Sequence, residues 1–352
     1  MLAYWALFGI FGVAAATTNE RNRRLGIVGW LIGGILLILM IGLRRNVGAD
    51  WRAYQAIFDR LSYLGFSGVI DTVDPSYKLL NLLASSLGLG VWAVNLACAI
   101  IFTYGLLRFC RDQPNPVLAV LVGIPYLVIV VAMGYTRQGA ALGLELLAIV
   151  YYFRSSLGKM AICLVLAVTF HKSAIIVIPL IALSASRRGL HTLLLLVATS
   201  ALMYWLFVAT SLDRFVANYI GTQYNSSGAG IRIAMNVVPA ILYLLFRNRF
   251  SKDRDEQRLW TVFALGSFVA LGLLFASPSS TAVDRMALYL IPLQLFVLSR
   301  VPVAFSNSEN PSIGAKFAVI GYSMAVQFIW LNYADNARAW IPYDNYLMDL
   351  RG

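Results

Sequence analysis

Long apolar runs separated by short polar stretches recur along the whole of this 352-residue chain. A helix needs roughly 17–25 mostly apolar residues to cross the hydrocarbon of a bilayer. Inside hydrocarbon every backbone polar group must find its partner within the structure, which restricts what such a chain can become. Composition supports the same reading. Hydrophobic residues make up 60% of the chain and charged residues 12%, where soluble domains average about 45–50% and 25%. The mean hydropathy is +0.74. These values exclude an ordinary soluble enzyme, a disordered chain and a secreted disulfide scaffold.

The expectation is an all-α polytopic integral membrane protein with about 10–13 transmembrane helices, some broken or re-entrant, forming a single domain over 1–352. Spans are expected at 2–16, 25–43, 91–108, 116–134, 137–153, 190–208, 231–247, 259–276, 286–300 and 316–332, with a broken pair at 159–170 and 174–185. Between them lie an outer loop at 44–90 with an interfacial or re-entrant helix at 76–89, an outer loop at 209–230 and an outer tail at 333–352. The first run reads as a span and not a leader, because its basic cluster (Arg21, Arg23, Arg24) follows it. That order puts the N-terminus outside.

The net charge of +12 fits Lys and Arg held in cytoplasmic loops better than a nucleic-acid partner, since no soluble domain carries a basic stripe. The inner side would hold 16 basic residues and the outer side 12. This bias is modest, and the outside keeps more arginine than topology favours. Cys98, Cys110 and Cys163 lie in or at the ends of apolar runs, so no disulfide framework, zinc site or redox motif is expected. Asp253-Arg254-Asp255 forms a D-x-D in a short inner loop with no domain around it and reads as a solvated charge run. His191 beside Arg187 and Arg188 reads as interfacial. There is no P-loop, dinucleotide fingerprint or nucleophile elbow.

Ionisable residues near the membrane are costly and usually face a cavity. Those at the outer ends of the spans are therefore the functional candidates. Arg44 and Arg45 could clamp a phosphate through their forked donors. Asp50 and Tyr54 share a face if 50–60 is helical. Asp74 precedes Pro75, where it would suit a helix cap. Arg137, next to Gln138, shares a helical face with Glu145, about 12 Å deeper. His171 and Lys172 interrupt an apolar run, and half-length helices meeting at a polar break line cavities. The imidazole can exchange a proton near neutral pH. Arg232 follows the glycine-rich turn Ser226–Gly230. Asp284, Arg285 and Tyr289 open another span, and Trp340 and Tyr343 sit in a tail placed to cover an outer cavity. Many cations and few carboxylates on one side suit an anionic, phosphate-bearing ligand presented from lipid.

At this point the residues resemble a family: the Wzy-type bacterial polysaccharide polymerases, in their EpsG-like branch. The matching pieces are R-x-x-x-G-x-D-x-x-x-Y (Arg44 or Arg45 to Tyr54), D-P-x-Y (Asp74 to Tyr77), R-Q (Arg137-Gln138), F-H-x-S-A (Phe170 to Ala174) and R-x-x-x-Y (Arg285 to Tyr289), in family order. Asp74 stands where the family more often has Glu, and the arginine spacing leaves Arg44 and Arg45 both open.

The resemblance implies a GT-C-like glycosyltransferase of the bacterial cytoplasmic membrane, with its active site outside. It would use undecaprenyl-pyrophosphate-linked oligosaccharides as donor and acceptor, with no cofactor and no metal. A chain-length regulator and a flippase are consistent protein partners. In that chemistry Arg137, Arg285 and Arg45 would hold the departing pyrophosphate, and His171 or Asp50 would be the base. Arg44, Tyr54, Asp74, Gln138, Lys172, Arg232, Asp284, Tyr289, Trp340 and Tyr343 would line the substrate site. The alternatives are a lipid-oligosaccharide flippase or other transporter, or a membrane O-acyltransferase.

Overall fold

A computed structural model describes residues 1–18, 26–66, 74–185, 228–276, 280–306 and 311–351, with a few isolated positions between them. The expected span at 190–208 and most of the loop at 209–230 lie outside the described residues, as do Asp71, His191 and the basic clusters at 21–24 and 187–188.

The described chain is helical. The helices are α1 (Leu2–Thr17), α2 (Ile27–Gly42), α3 (Trp51–Leu64), α4 (Pro75–Ser86), α5 (Val91–Cys110), α6 (Pro116–Gly123), α7 (Thr136–Phe153), α8 (Leu157–Phe170), α9 (Val177–Ala185), α10 (Ala229–Phe250), α11 (Arg254–Ala276), α12 (Ser280–Ala287), α13 (Pro292–Ala304) and α14 (Ile313–Tyr333). Among the described residues four helices (α5, α10, α11 and α14) are long and apolar enough to cross a membrane, and the bent pair α12–α13 makes a fifth. Five shorter apolar helices accompany them. The chain is thus a multi-pass membrane protein, and its described residues hold four or five full-length spans beside shorter and broken helices, where ten to thirteen helices of all these kinds were expected.

Specific residues explain the difference. The run at 116–134 does not form one α-helix: α6 passes into a π-helical segment at Ile124–Ala132, with Pro125 at its start. Proline supplies no N–H, which favours such a change of pitch. The run expected at 286–300 is longer and bent by 46°, with Pro292 opening its second half. The expected break near 171 is present. His171 is extended (φ −154, ψ 116), and a 3-10 turn, Lys172–Ile176, leads into α9.

Helix α7 is the centre of the bundle, buried along nearly its whole length. Its crossing with α5 is close because Gly105 faces Gly143: a Cβ on Gly143 would sit 2.5 Å from the Phe102 Cα. Small residues let membrane helices approach in this way.

The two ends of the bundle separate the polar residues as expected. At one end Arg300 pairs with Glu256 at 2.8 Å and donates to the Phe250 carbonyl, Arg154 pairs with Asp112, and Lys316 donates to the Ala16 carbonyl. The D-x-D lies here and has a structural task. Asp253 Oδ1 accepts from the Asp255 and Glu256 amides at the start of α11. The opposite end carries 44–66, 74–90, Tyr135, His171, Arg232, Asp284 and the C-terminal tail.

Candidate functional site

The site begins where α4 begins. Asp74 precedes Pro75, holds left-handed backbone angles (φ 64, ψ 55) and is 3% exposed. Aspartate tolerates this conformation better than most residues. The sequence suits a cap, yet the carboxylate makes no capping bond to α4. It turns to other helices. Oδ2 accepts from Arg137 Nη1 at 2.7 Å and lies 3.4 Å from His171 Nδ1, while Oδ1 accepts from the Lys172 amide at 3.0 Å. One carboxylate thus joins α4, the first turn of α7 and the break after α8. Burial pushes this carboxyl upward, but the bond to His171, the charge of Arg137 and the Lys172 amide outweigh it and hold the group below its ordinary value.

Two aromatic rings frame the guanidinium. Arg137 Cζ lies 5.7 Å from the Tyr54 ring centre and 5.8 Å from that of Tyr77. The rings are 5.6 Å apart. This places the cation within cation–π range of both. Tyr54 comes from α3, which forms as the 50–60 segment suggests. Asp50 sits just before α3, half-exposed, and no ion pair or hydrogen bond engages its carboxylate among the described residues. His171 is 7% exposed, and among the described residues no protein group bonds its Nε2.

A second group adjoins the first. Gln138 donates to the Arg285 carbonyl at 2.7 Å, and Ser173 donates to the Tyr289 hydroxyl at 3.3 Å. The Arg285 guanidinium lies 6.0 Å from the Tyr135 ring centre. No carboxylate pairs with it among the described residues, whereas Arg137, Arg232 and Arg45 each have one. Arg232 grips Asp284 with two bonds of 2.7 Å. Both residues were expected to line the substrate site, and in the structure they also pair with each other. The glycine-rich turn survives as Gly228, whose left-handed φ of 80° precedes α10.

The remaining candidates form the floor and edge. Arg44 and Arg45 do not act as a pair. Arg44 is wholly buried, bonding the Ile41 carbonyl and, at 2.6 Å, the Thr136 hydroxyl. Arg45 reaches Asp344 at 2.8 Å. The tail packs inward: Trp340 is 1% exposed, donates to the Ile129 carbonyl at 2.7 Å and fills the space beside Gly134. Tyr343 donates to the Met40 carbonyl. The tail thus clamps the π-helical segment and the end of α2. Glu145 is wholly buried in α7, and neither of its oxygens is bonded among the described residues.

Sequence reasoning passed over Tyr77 and Tyr135. Tyr77 closes the D-P-x-Y piece, which was a usable signal. Tyr135 stands two residues before Arg137, where only the end of the π-helical segment aims it at Arg285. Among the described residues no cluster of three or more metal-binding side chains occurs.

The EpsG family profile matches residues 27–345. The chain belongs to the EpsG family. No curated protein and no solved structure matches it. The match spans every part of the site just described, from Arg44 to Tyr343, and membership supports a polysaccharide-polymerase role for this multi-pass membrane protein.

Proposed function

We propose that this chain is a GT-C-like glycosyltransferase that polymerises undecaprenyl-pyrophosphate-linked oligosaccharide repeats on the outer face of the bacterial cytoplasmic membrane. The observation that carries the reading is the three-way junction at Asp74, which sets a cation and an imidazole side by side at one end of the bundle. EpsG membership supports the reaction class.

In the proposed step an acceptor hydroxyl oxygen bonds to the anomeric carbon of the growing glycan. The bond from that carbon to the pyrophosphate oxygen breaks, and its electron pair leaves with the pyrophosphate. The hydroxyl proton passes to the base. His171 suits this role: Asp74 faces Nδ1, which leaves Nε2 to receive the proton. Arg285, without a carboxylate partner among the described residues, suits the charge that develops on the leaving group. Arg137 adds positive charge and fixes Asp74. Asp50 is the alternative base, since its carboxylate is accessible and unengaged among the described residues.

The test is a reconstituted reaction. Purified protein in liposomes receives a polyprenyl-pyrophosphate oligosaccharide repeat, and products are separated on a gel. A ladder of repeats that is lost with His171→Ala is the expected result. A folded protein that moves the lipid across the bilayer without lengthening the glycan would replace this reading with transport.

A further inference from the structure

Helices α10 and α14 diverge at the site end of the bundle and leave a cleft of about 510 Å³ between them. Ile231, Met235 and Val238 from α10 face Val326 and Ile329 from α14. From Gly228 to Val238 the cleft follows α10 for about 15 Å at 1.5 Å per residue. That is about half the hydrocarbon thickness of a bilayer, the depth of a single leaflet. Both helices are long and apolar enough to span. Ile231, Ala234 and Ile329 are exposed along the cleft, so among the described residues no segment closes it from the side.

The charge at its mouth decides which lipid fits. Two charged side chains line the cleft, Arg232 and Asp335. Arg232 is neutralised by Asp284 through two bonds of 2.7 Å. Asp335 opens the 3-10 turn after α14 and is exposed. Among the described residues no hydrogen bond or ion pair engages its carboxylate, and Arg338 at the end of the same turn makes no ion pair with it. The mouth therefore keeps one uncompensated negative charge. Tyr333 and Asn336 stand close to Asp335 in sequence and line the same cleft. A primary ammonium group meets this chemistry. It brings three donors, suited to a carboxylate and an amide oxygen, and it gains from an aromatic face. An anionic headgroup would meet a like charge.

A second cleft gives the contrast. It holds about 330 Å³ between α9, α11 and α12, and its lining, from Ile176 to Leu290, contains no charged or polar side chain. It offers a headgroup nothing to select.

We propose that the α10–α14 cleft seats a bilayer phospholipid with a primary ammonium headgroup, of the phosphatidylethanolamine class. Its acyl chain lies between the two helices and its ammonium lies at Asp335. This lipid is a resident of the fold and not a substrate, so the assignment stands independently of the polymerase reading. Bound there, it ties α10 to α14 beside the Arg232–Asp284 pair. Binding costs the protein little ordering, since the cleft is already formed.

The test uses the full chain in nanodiscs of phosphatidylcholine. The probe is a phosphatidylethanolamine with a photoactivatable group in one acyl chain. Labelling is expected within 231–238 and 322–333. Excess unlabelled phosphatidylethanolamine should remove it, and phosphatidylglycerol with the same acyl chains should compete at least threefold less well. Asp335→Asn should erase most of that preference, a change of about threefold on the scale of an exposed ion pair. Ala234→Trp, which fills the cleft from an exposed position, should cut the labelling itself about tenfold. Ile231→Trp should do the same if the first variant folds poorly. Leu265→Trp, in the second cleft, should leave it unchanged. Equal competition by the two lipids, or a preference that survives Asp335→Asn, would overturn the assignment and make the cleft an unselective bilayer crevice. Equal loss in the Leu265→Trp variant would also overturn it. Absence of labelling in the folded parent would overturn it and leave the cleft to a protein helix.

Discussion

Arg137 donates to Asp74 at 2.7 Å across 63 residues of sequence, and the same carboxylate oxygen lies 3.4 Å from His171 Nδ1. The three residues come from the start of α4, the first turn of α7 and the break after α8, and their polar contacts run between these elements. Asp74 leaves its local capping position unused to make this junction. The arrangement separates effects on shape from effects on charge, which makes it testable.

Asp74→Asn keeps the side-chain outline but removes the charge that orients His171. We expect polymer formation to fall about 100-fold, the lower range of a general-base contribution, while the protein still inserts. Initial rates with a lipid-linked repeat, compared at equal amounts of folded protein, measure this. A rate within twofold of the parent would remove the Asp74 charge from the chemistry.

Arg285→Ala and Arg137→Ala should part company in stability. Among the described residues Arg285 has no carboxylate to abandon, so its loss should leave the melting temperature nearly unchanged and lower the rate by about 10²–10³. Removing Arg137 strips one charged bond from a 3%-exposed carboxylate and should also cost about 2 kcal/mol of stability. Thermal unfolding in detergent beside the polymerisation assay distinguishes them. Equal melting losses in both variants would contradict the pairing.

The Asp74 carboxyl is held below its ordinary value near 3.8. The unfolded chain therefore takes up this proton before the folded one does, and stability rises with pH across that window. The contribution is complete above about pH 4 and is lost as pH falls through the lower folded value. Melting temperature measured from pH 7 down to pH 3 should show a final drop that Asp74→Asn lacks. An identical profile in both proteins would contradict it.

Trp340 fills the space beside Gly134 and bonds the Ile129 carbonyl. Trp340→Ala should cost about 3–5 kcal/mol, as for other large core truncations. Trp340→Phe, which keeps most of the packing, should cost about 1 kcal/mol for the lost bond. If Trp340→Ala melts like the parent but binds lipid-linked sugar poorly, the tail contacts substrate and does not brace the fold.

A reporter fused after Lys252 should signal cytoplasm, because Arg247, Arg249, Lys252, Arg254 and Arg258 cluster about the α10–α11 turn. An external signal would invert the bundle and place His171 inside.

Local features follow from residue order alone. Run length and apolarity gave a helical multi-pass membrane protein, and the polar interruption at His171 marked the break between α8 and α9. Periodicity placed Arg137 above Glu145 on one face, and charge order put Asp74, Arg137, His171 and Arg285 at one end. Tertiary structure decided which groups meet. The Arg137–Asp74–His171 junction, the Arg232–Asp284 pair and the separation of buried Arg44 from Arg45 with Asp344 all depend on how helices cross. Those crossings follow from contacts such as Gly105 against Gly143 and Trp340 beside Gly134. Such contacts join residues far apart in the chain, so a repeat of 3.6 residues carries no trace of them. The π-helical segment was hidden for a related reason: a uniformly apolar run fixes burial but leaves the backbone pitch to its surroundings.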